Sequence, residues 1–178
     1  WGMAGAGSMT AGLAAGGFVS AASDLTEEYD GSSWTAANAM PTAERDPTGA
    51  GTQTAGLSIG GNPPSPGLST ATFKYDGTNW STSPGSMSVA RSTATSFGTQ
   101  TAAIIAGGNE PGINSAEEYD GTNWTTINNL NSPAYSLASA ANGTTSHGIT
   151  FGGASPAGTG LTQTEEYDGT SWTISSAT

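Results

Sequence analysis

A block of eight residues that occurs four times constrains the fold of this chain more than any other feature. Each copy contains Tyr-Asp-Gly and ends in Trp, and successive Trp residues are separated by 46, 44 and 48 positions. A Gly-Gly pair precedes every copy, and a run of small or apolar residues precedes each pair. The copies occupy residues 27–34, 73–80, 117–124 and 165–172. Such internal similarity predicts several copies of one structural unit packed side by side.

Each unit carries signals for four short strands, which are clearest in residues 91–130. Asp120-Gly121 favours a tight hairpin between the last two strands, because both residue types tolerate the backbone angles of such a turn. Gly98–Thr101 is expected to turn the first strand into the second. A unit of about 45 residues with four strands and no helix is typical of a propeller blade. The predicted strands of this unit cover residues 91–97, 102–106, 115–119 and 124–127.

We therefore predict an all-β fold, a β-propeller of four four-stranded antiparallel blades in a single domain, residues 1–178. We expect the first and fourth blades to pack face to face and close a four-blade ring, the lower limit for this architecture. The alternative is an open arc that is completed by another copy or by further repeats. The blades are expected at approximately residues 1–40, 41–86, 87–130 and 131–178.

The motif order resembles that of the kelch repeat, in which a hydrophobic strand ends in Gly-Gly and is followed by a Tyr and then a Trp. Gly107-Gly108, Tyr119 and Trp124 match this pattern, and the other three units have the same order. The sequence motif Tyr-Asp-Gly-Thr-Asn-Trp, together with Gly-Thr-Gln-Thr-Ala, is also similar to low-charge kelch-like repeats of marine phage and bacterial surface proteins. The resemblance implies an extracellular or virion-surface location, for example in a tail fibre or on a capsid exterior.

Composition excludes several classes of partner. Three Lys and Arg residues against 14 Asp and Glu give a formal net charge of −11, which repels nucleic acid and anionic lipid head groups. There is no Cys, and no apolar run approaches the length of a membrane span, so neither disulfides nor membrane insertion is expected. Because the chain opens at Trp1 rather than Met, we expect a processed or excerpted segment.

The sequence does not predict catalytic or metal-binding residues or a cofactor. The four Asp-Gly pairs could supply calcium ligands, but hairpin geometry explains them better, since one carboxylate per turn is far short of a calcium shell. The Glu-Glu pairs precede Tyr on strands, where neighbouring side chains point to opposite faces, so we expect a solvated acidic surface. His147 is the only histidine and is expected in an exposed turn. We predict that the protein is not an enzyme, and a propeller-type glycosidase is the least favoured alternative.

Function on repeat scaffolds tends to reside in the loops that differ between units. We predict a binding surface from these loops and from residues near the propeller axis. The kelch resemblance places an Arg at the start of an inner strand, which here gives Arg45 and Arg91, with Trp1 and Tyr135 at the corresponding positions. The candidate binding residues are Trp1, Phe18, Arg45, Asn62, Arg91, Asn109, Glu110, Asn114, Tyr135 and Ser155.

The predicted function is that of a noncatalytic binding or structural module that recognises a glycan or a protein through one loop face. The alternative is a purely structural unit that contacts copies of itself or other virion proteins, as a homo-oligomer or in an assembly.

Overall fold

The computed structural model describes residues 1–109, 111–140 and 142–175. They form four antiparallel four-stranded sheets with strands in chain order, and the described residues contain no helix. The first blade contains β1 (Ala4–Ser8), β2 (Ala11–Ala15), β3 (Thr26–Tyr29) and β4 (Trp34–Ala37). The second contains β5 (Thr48–Thr52), β6 (Ala55–Ile59), β7 (Thr72–Tyr75) and β8 (Trp80–Thr82). The third contains β9 (Thr95–Thr99), β10 (Ala102–Ala106), β11 (Ala116–Tyr119) and β12 (Trp124–Ile127). The fourth contains β13 (Ala138–Ser139), β14 (Gly148–Phe151), β15 (Thr164–Tyr167) and β16 (Trp172–Ser175).

The first strands of the blades lie next to one another around a common axis. Strand β5 packs between β1 and β9, and β9 contacts β13. Residues of all four first strands or their flanks line one central cavity of about 370 Å³. Gly49 allows β5 to lie close against β1, because a Cβ at this position would lie only 2.5 Å from the backbone oxygen of Gly5. The prediction of an all-β propeller of four antiparallel blades is confirmed.

The Asp residues of the repeated block fix the hairpin between the third and fourth strands of each blade. Asp120 Oδ1 accepts the backbone N–H groups of Thr122 and Asn123 at 2.8 and 2.7 Å. The other three Asp residues accept equivalent pairs of bonds. These bonds hold the pKa of the Asp76, Asp120 and Asp168 carboxyls below its usual value. At Asp30 a hydrogen bond from the Ser32 hydroxyl, together with the two backbone bonds, lowers the pKa to about 2. The carboxylates therefore serve the turn, as the Asp-Gly pattern predicts.

Consecutive blades pack face to face through apolar side chains. The first and second blades share a cluster built on Ala15, Met40 and Phe73, against which Trp80 packs. The cluster between the second and third contains Leu57, Ile59, Met87, Ala103, Ile105 and Tyr119. The cluster between the third and fourth contains Phe97, Ile104, Ala106, Ala116, Leu130, Tyr167 and Trp172. The predicted role of the repeated Tyr and Trp residues in packing between blades is confirmed at these three interfaces.

Two residues of the Glu-Glu pairs are buried, which the sequence did not predict. Glu117 is 1% exposed, and its carboxylate accepts the backbone N–H groups of Ser88 and Val89 in the linker that enters the third blade. Glu165 binds the equivalent linker N–H groups before the fourth blade. The expectation of a solvated acidic surface is wrong for these two residues, because each carboxylate accepts two consecutive backbone N–H groups of a linker.

The face-to-face packing of first and fourth blades that a closed ring requires is absent from these clusters. In the described part of the chain, the clusters join only consecutive blades. Trp34 on the first blade is 50% exposed, whereas its counterpart Trp172 is buried against the third blade. Phe151 on the fourth blade is 43% exposed. Both end blades therefore have an uncovered sheet face.

Candidate binding site

A row of hydrogen bonds around the axis sets the positions of the variable side chains. Asp46 N–H donates to Gly2 O at 3.0 Å, Thr93 N–H to Asp46 O at 3.0 Å, and Ser136 N–H to Thr93 O at 2.7 Å. Gly2, Asp46, Thr93 and Ser136 therefore occupy equivalent positions in the four blades, and we call this set the axial row. All four have positive φ, at 65°, 54°, 51° and 53°. Positive φ is uncommon for residues other than glycine and indicates a backbone held by its surroundings.

The residue before each member of the axial row is chemically different in every blade. These four rim positions are Trp1, Arg45, Ser92 and Tyr135. Their backbone is fixed by the repeated hydrogen bonds, and their side chains are not part of the three clusters between blades. An invariant backbone that holds four different side chains is the arrangement expected of a recognition surface on a repeat scaffold.

Three of the predicted binding residues line one cavity of about 420 Å³ beside the rim. Arg45, Asn62 and Tyr135 contribute to its wall together with hydroxyl-bearing residues of the third and fourth blades. The volume falls in the range of small-ligand sites, about 300 to 1,000 Å³. Asn62 is fixed by reciprocal backbone bonds with Arg45, at 3.1 and 2.7 Å. The full lining is Arg45, Asp46, Asn62, Leu68, Ser92, Thr93, Tyr135 and Ser136.

Two further predicted residues extend this surface onto the first blade. The Arg45 guanidinium carbon lies 5.4 Å from the centroid of the Phe18 ring, and the Trp1 ring lies 5.2 Å from that of Phe18. Arg45 Nε also lies 3.3 Å from Asp46 Oδ2. Phe18 therefore links Trp1 to Arg45, and the cation is oriented both by an aromatic ring and by a carboxylate.

Arg91 does not belong to this surface. Its side chain is 0% exposed, pairs with Glu117 at 2.7 Å, and donates to the carbonyl groups of Gly107 and Ser115. The backbone shows why: Arg91 O accepts the N–H of Gly61 as Glu44 O accepts that of Gly17, so Arg91 is the counterpart of Glu44. The sequence comparison aligned Arg91 with Arg45, but Arg91 corresponds to Glu44. Ser92 is therefore the rim residue of the third blade.

Three of the remaining predicted residues fasten loops and linkers through hydrogen bonds. Asn109 has positive φ, and its amide bonds Ser92 N–H and Ala90 O. Asn114 donates to Leu130 O and accepts the N–H of the same residue, which fastens a linker. Ser155 closes a turn with Thr159. Glu110 lies outside the described residues.

The lining of the cavity offers hydrogen bonds and an aromatic surface. The groups with a shifted pKa do not line this cavity; apart from the hairpin Asp residues, they lie chiefly in packed interfaces. Burial raises the pKa of Glu44 to about 7. Burial together with the Glu28 carboxylate raises the pKa of Tyr75 to about 12. No group of three or more His, Cys, Asp or Glu side chains is assembled for a metal in residues 1–109, 111–140 and 142–175. The described residues also include no helix long and apolar enough to cross a membrane.

Comparison with known proteins found no family model and no curated protein that matches this chain.

Proposed function

We propose that this protein is a noncatalytic binding module built on kelch-like repeats, which recognises a glycan or protein surface through the rim cavity. The single observation that carries the proposal is that Arg45, Asn62 and Tyr135 line one cavity beside the axial row, whose backbone geometry is repeated in each blade. From the resemblance of the repeat motifs, we propose that the module lies on a virion, in a tail fibre or on the capsid exterior, or else on a cell surface.

The chemistry of the cavity favours a neutral, hydroxyl-rich ligand. Its lining supplies amide and hydroxyl groups that both donate and accept hydrogen bonds, which matches the mixed donors and acceptors of a sugar. The Tyr135 ring offers an amphipathic surface, and Arg45 is the one cation of the described residues that lines the cavity. Lys74 and Arg91 are used elsewhere, since Lys74 donates to Gly121 O and Arg91 pairs with Glu117.

A glycan array followed by titration calorimetry tests this function. Saturable binding is expected, and both Arg45→Ala and Tyr135→Ala should weaken it by at least about tenfold, the equivalent of one good hydrogen bond or aromatic contact. Thr126→Ala, exposed on the outer strand β12, is the matched control and should bind as the unsubstituted chain does. Binding that is indifferent to Arg45 and Tyr135, or an array with no saturable ligand, would contradict a glycan site at the rim.

A purely structural role is the second candidate function, and the uncovered faces of the first and fourth blades favour it. In that case contacts with copies of the chain or with other virion proteins are the purpose of the fold, and the rim cavity binds nothing.

A further inference from the structure

The exposed face of the first blade has the same recognition groups that the second blade uses to pack on the first. Trp80 Nε1 donates to Thr26 Oγ1 at 2.9 Å, and Tyr75 Oη donates to Glu28 Oε1 at 2.8 Å. Trp124 repeats the first bond at the next interface, donating to Thr72 Oγ1 at 2.9 Å. In each case the Trp belongs to the later blade and the Thr to the earlier one.

The first blade carries the donors of this pattern on its uncovered side. Tyr29 and Trp34 are the counterparts of Tyr75 and Trp80, and their rings lie 5.2 Å apart. Side chains alternate along a strand, so Glu27 and Tyr29 point away from the second blade, to which Thr26 and Glu28 belong. We call this side, formed by Ala14, Glu27, Tyr29 and Trp34, the leading face.

The fourth blade carries the acceptors on its uncovered side. Strand β15 has the sequence Thr-Glu-Glu-Tyr, identical to that of β3. Tyr167 and Gly148 face the third blade, since Tyr167 joins the cluster there and Gly148 lies against Phe97. The alternate residues therefore point outward. We call this side, formed by Ile149, Phe151, Thr164 and Glu166, the trailing face.

The trailing face of the fourth blade thus repeats the acceptor pair of the first blade, with Thr164 for Thr26 and Glu166 for Glu28. Its apolar part has the same likeness, because Ile149 and Phe151 occupy the positions of Leu13 and Ala15. Those two residues are 4% and 2% exposed under the second blade, whereas Phe151 is 43% exposed. Two complementary halves of an interface that the chain already builds are left uncovered.

We infer that the leading face docks on the trailing face of a second copy of this chain, with Trp34 donating to Thr164 and Tyr29 to Glu166 of that copy. Within one chain the two faces remain apart, because no hydrogen bond joins them in the described residues and Trp34 stays half exposed. The contact is heterologous, so two copies close a ring by making it twice. Such a ring has eight blades, within the range known for propellers.

Sedimentation velocity and native mass spectrometry at micromolar and higher concentrations test the inference. The chain is expected to form a two-copy species. Trp34→Phe, which removes the indole N–H and keeps most of the apolar surface, and Thr164→Val should each raise the dissociation constant by about tenfold. Thr126→Ala, outside both faces, is the matched control and should leave association unchanged.

A mixing experiment distinguishes this geometry from any other dimer. Trp34→Arg disables the leading face and Phe151→Arg the trailing face, and both residues are exposed enough for the fold to survive, which circular dichroism verifies. Each variant alone should be monomeric, whereas the mixture should form a heterodimer through the one intact pair of faces.

A monomer at every concentration would overturn the inference. This holds whether the fluorescence of Trp34 shows that its ring is exposed or that the fourth blade of the same chain covers it. So would a dimer that survives both Arg substitutions, or variants that fail to combine. None of these results depends on the rim ligand, because neither face includes Arg45, Asn62 or Tyr135.

Discussion

The bond from Trp124 to Thr72 gives the sharpest test of how the blades hold together. Thr72 is buried at the second-to-third interface, and its hydroxyl accepts the indole N–H at 2.9 Å. Thr72→Val keeps the shape of the side chain and removes the acceptor. The loss of the bond, with a donor left unsatisfied in a partly buried site, should lower the free energy of unfolding by about 1 to 2 kcal/mol.

The third-to-fourth interface provides the reverse experiment within the same chain. There the acceptor position is Ala116, and Trp172 Nε1 is buried with no hydrogen-bond partner among the residues that the structure describes. Ala116→Thr restores the residue that the first two blades have at this position, Thr26 and Thr72. It should raise the stability by about 1 kcal/mol, the net value of a typical hydrogen bond.

Urea titration followed by far-ultraviolet circular dichroism measures both changes, and a thermal scan checks them. For a chain of this length, 1 kcal/mol corresponds to about 2 to 4 °C in the melting temperature. Thr72→Val should therefore melt about 2 to 8 °C lower and Ala116→Thr about 2 to 4 °C higher. If Thr72→Val were as stable as the exposed control Thr126→Ala, the hydrogen bond would contribute nothing and the reasoning would fail.

Three further predictions concern buried and turn-forming charges. Arg91→Ala leaves Glu117 as an unpaired buried carboxylate and should cost about 3 to 5 kcal/mol in urea unfolding; a loss below about 1 kcal/mol would show that the pair is not buried in solution. Burial raises the pKa of Glu44 from 4.5 to about 7. In the unfolded protein this carboxyl therefore releases its proton near pH 4.5, whereas in the folded protein it retains the proton up to about pH 7. Stability should thus fall as pH rises from about 4.5 to 7, and Glu44→Gln should remove that slope; an unchanged slope would assign it to other groups. The lowered pKa of Asp120 means that its contribution is present above its unfolded pKa and is lost as pH falls through the folded value. Asp120→Ala should lower stability at pH 7 and reduce the loss on acidification below pH 4, and equal acid sensitivity of both proteins would contradict the turn role.

The sequence predicted the strands well where local signals decide them. Strand β10 was expected at residues 102–106 and spans Ala102–Ala106, and the Asp-Gly hairpins lie where expected. The inner strand was expected at 91–97 but spans Thr95–Thr99. Residues before it are held by contacts with neighbouring blades, and the positive φ of Thr93 belongs to the axial row. Those contacts have no local signature in the sequence.

The binding surface was predicted only in part, for the same reason. Arg45 and Tyr135 were identified because the kelch resemblance puts them at the start of an inner strand, and the structure brings them to one cavity with Asn62. Arg91 was misplaced by one position, since only the carbonyl that accepts the N–H of Gly61 reveals its true counterpart. The carboxylate that pairs with the guanidinium, Glu117, belongs to one of the Glu-Glu pairs that were expected to form a solvated acidic surface. The hydroxyl residues of the rim carry no distinguishing pattern.

Each blade packs on its predecessor in chain order, and the Trp of the second and of the third blade reaches the Thr of the blade before it. A ¹⁵N-edited nuclear Overhauser spectrum of the indole N–H groups tests this directly. Trp80 should show contacts to the Thr26 methyl group and Trp124 to that of Thr72, because both donor–acceptor distances are 2.9 Å. Indole contacts confined to each Trp residue's own blade, with neither Thr methyl observed, would contradict the account.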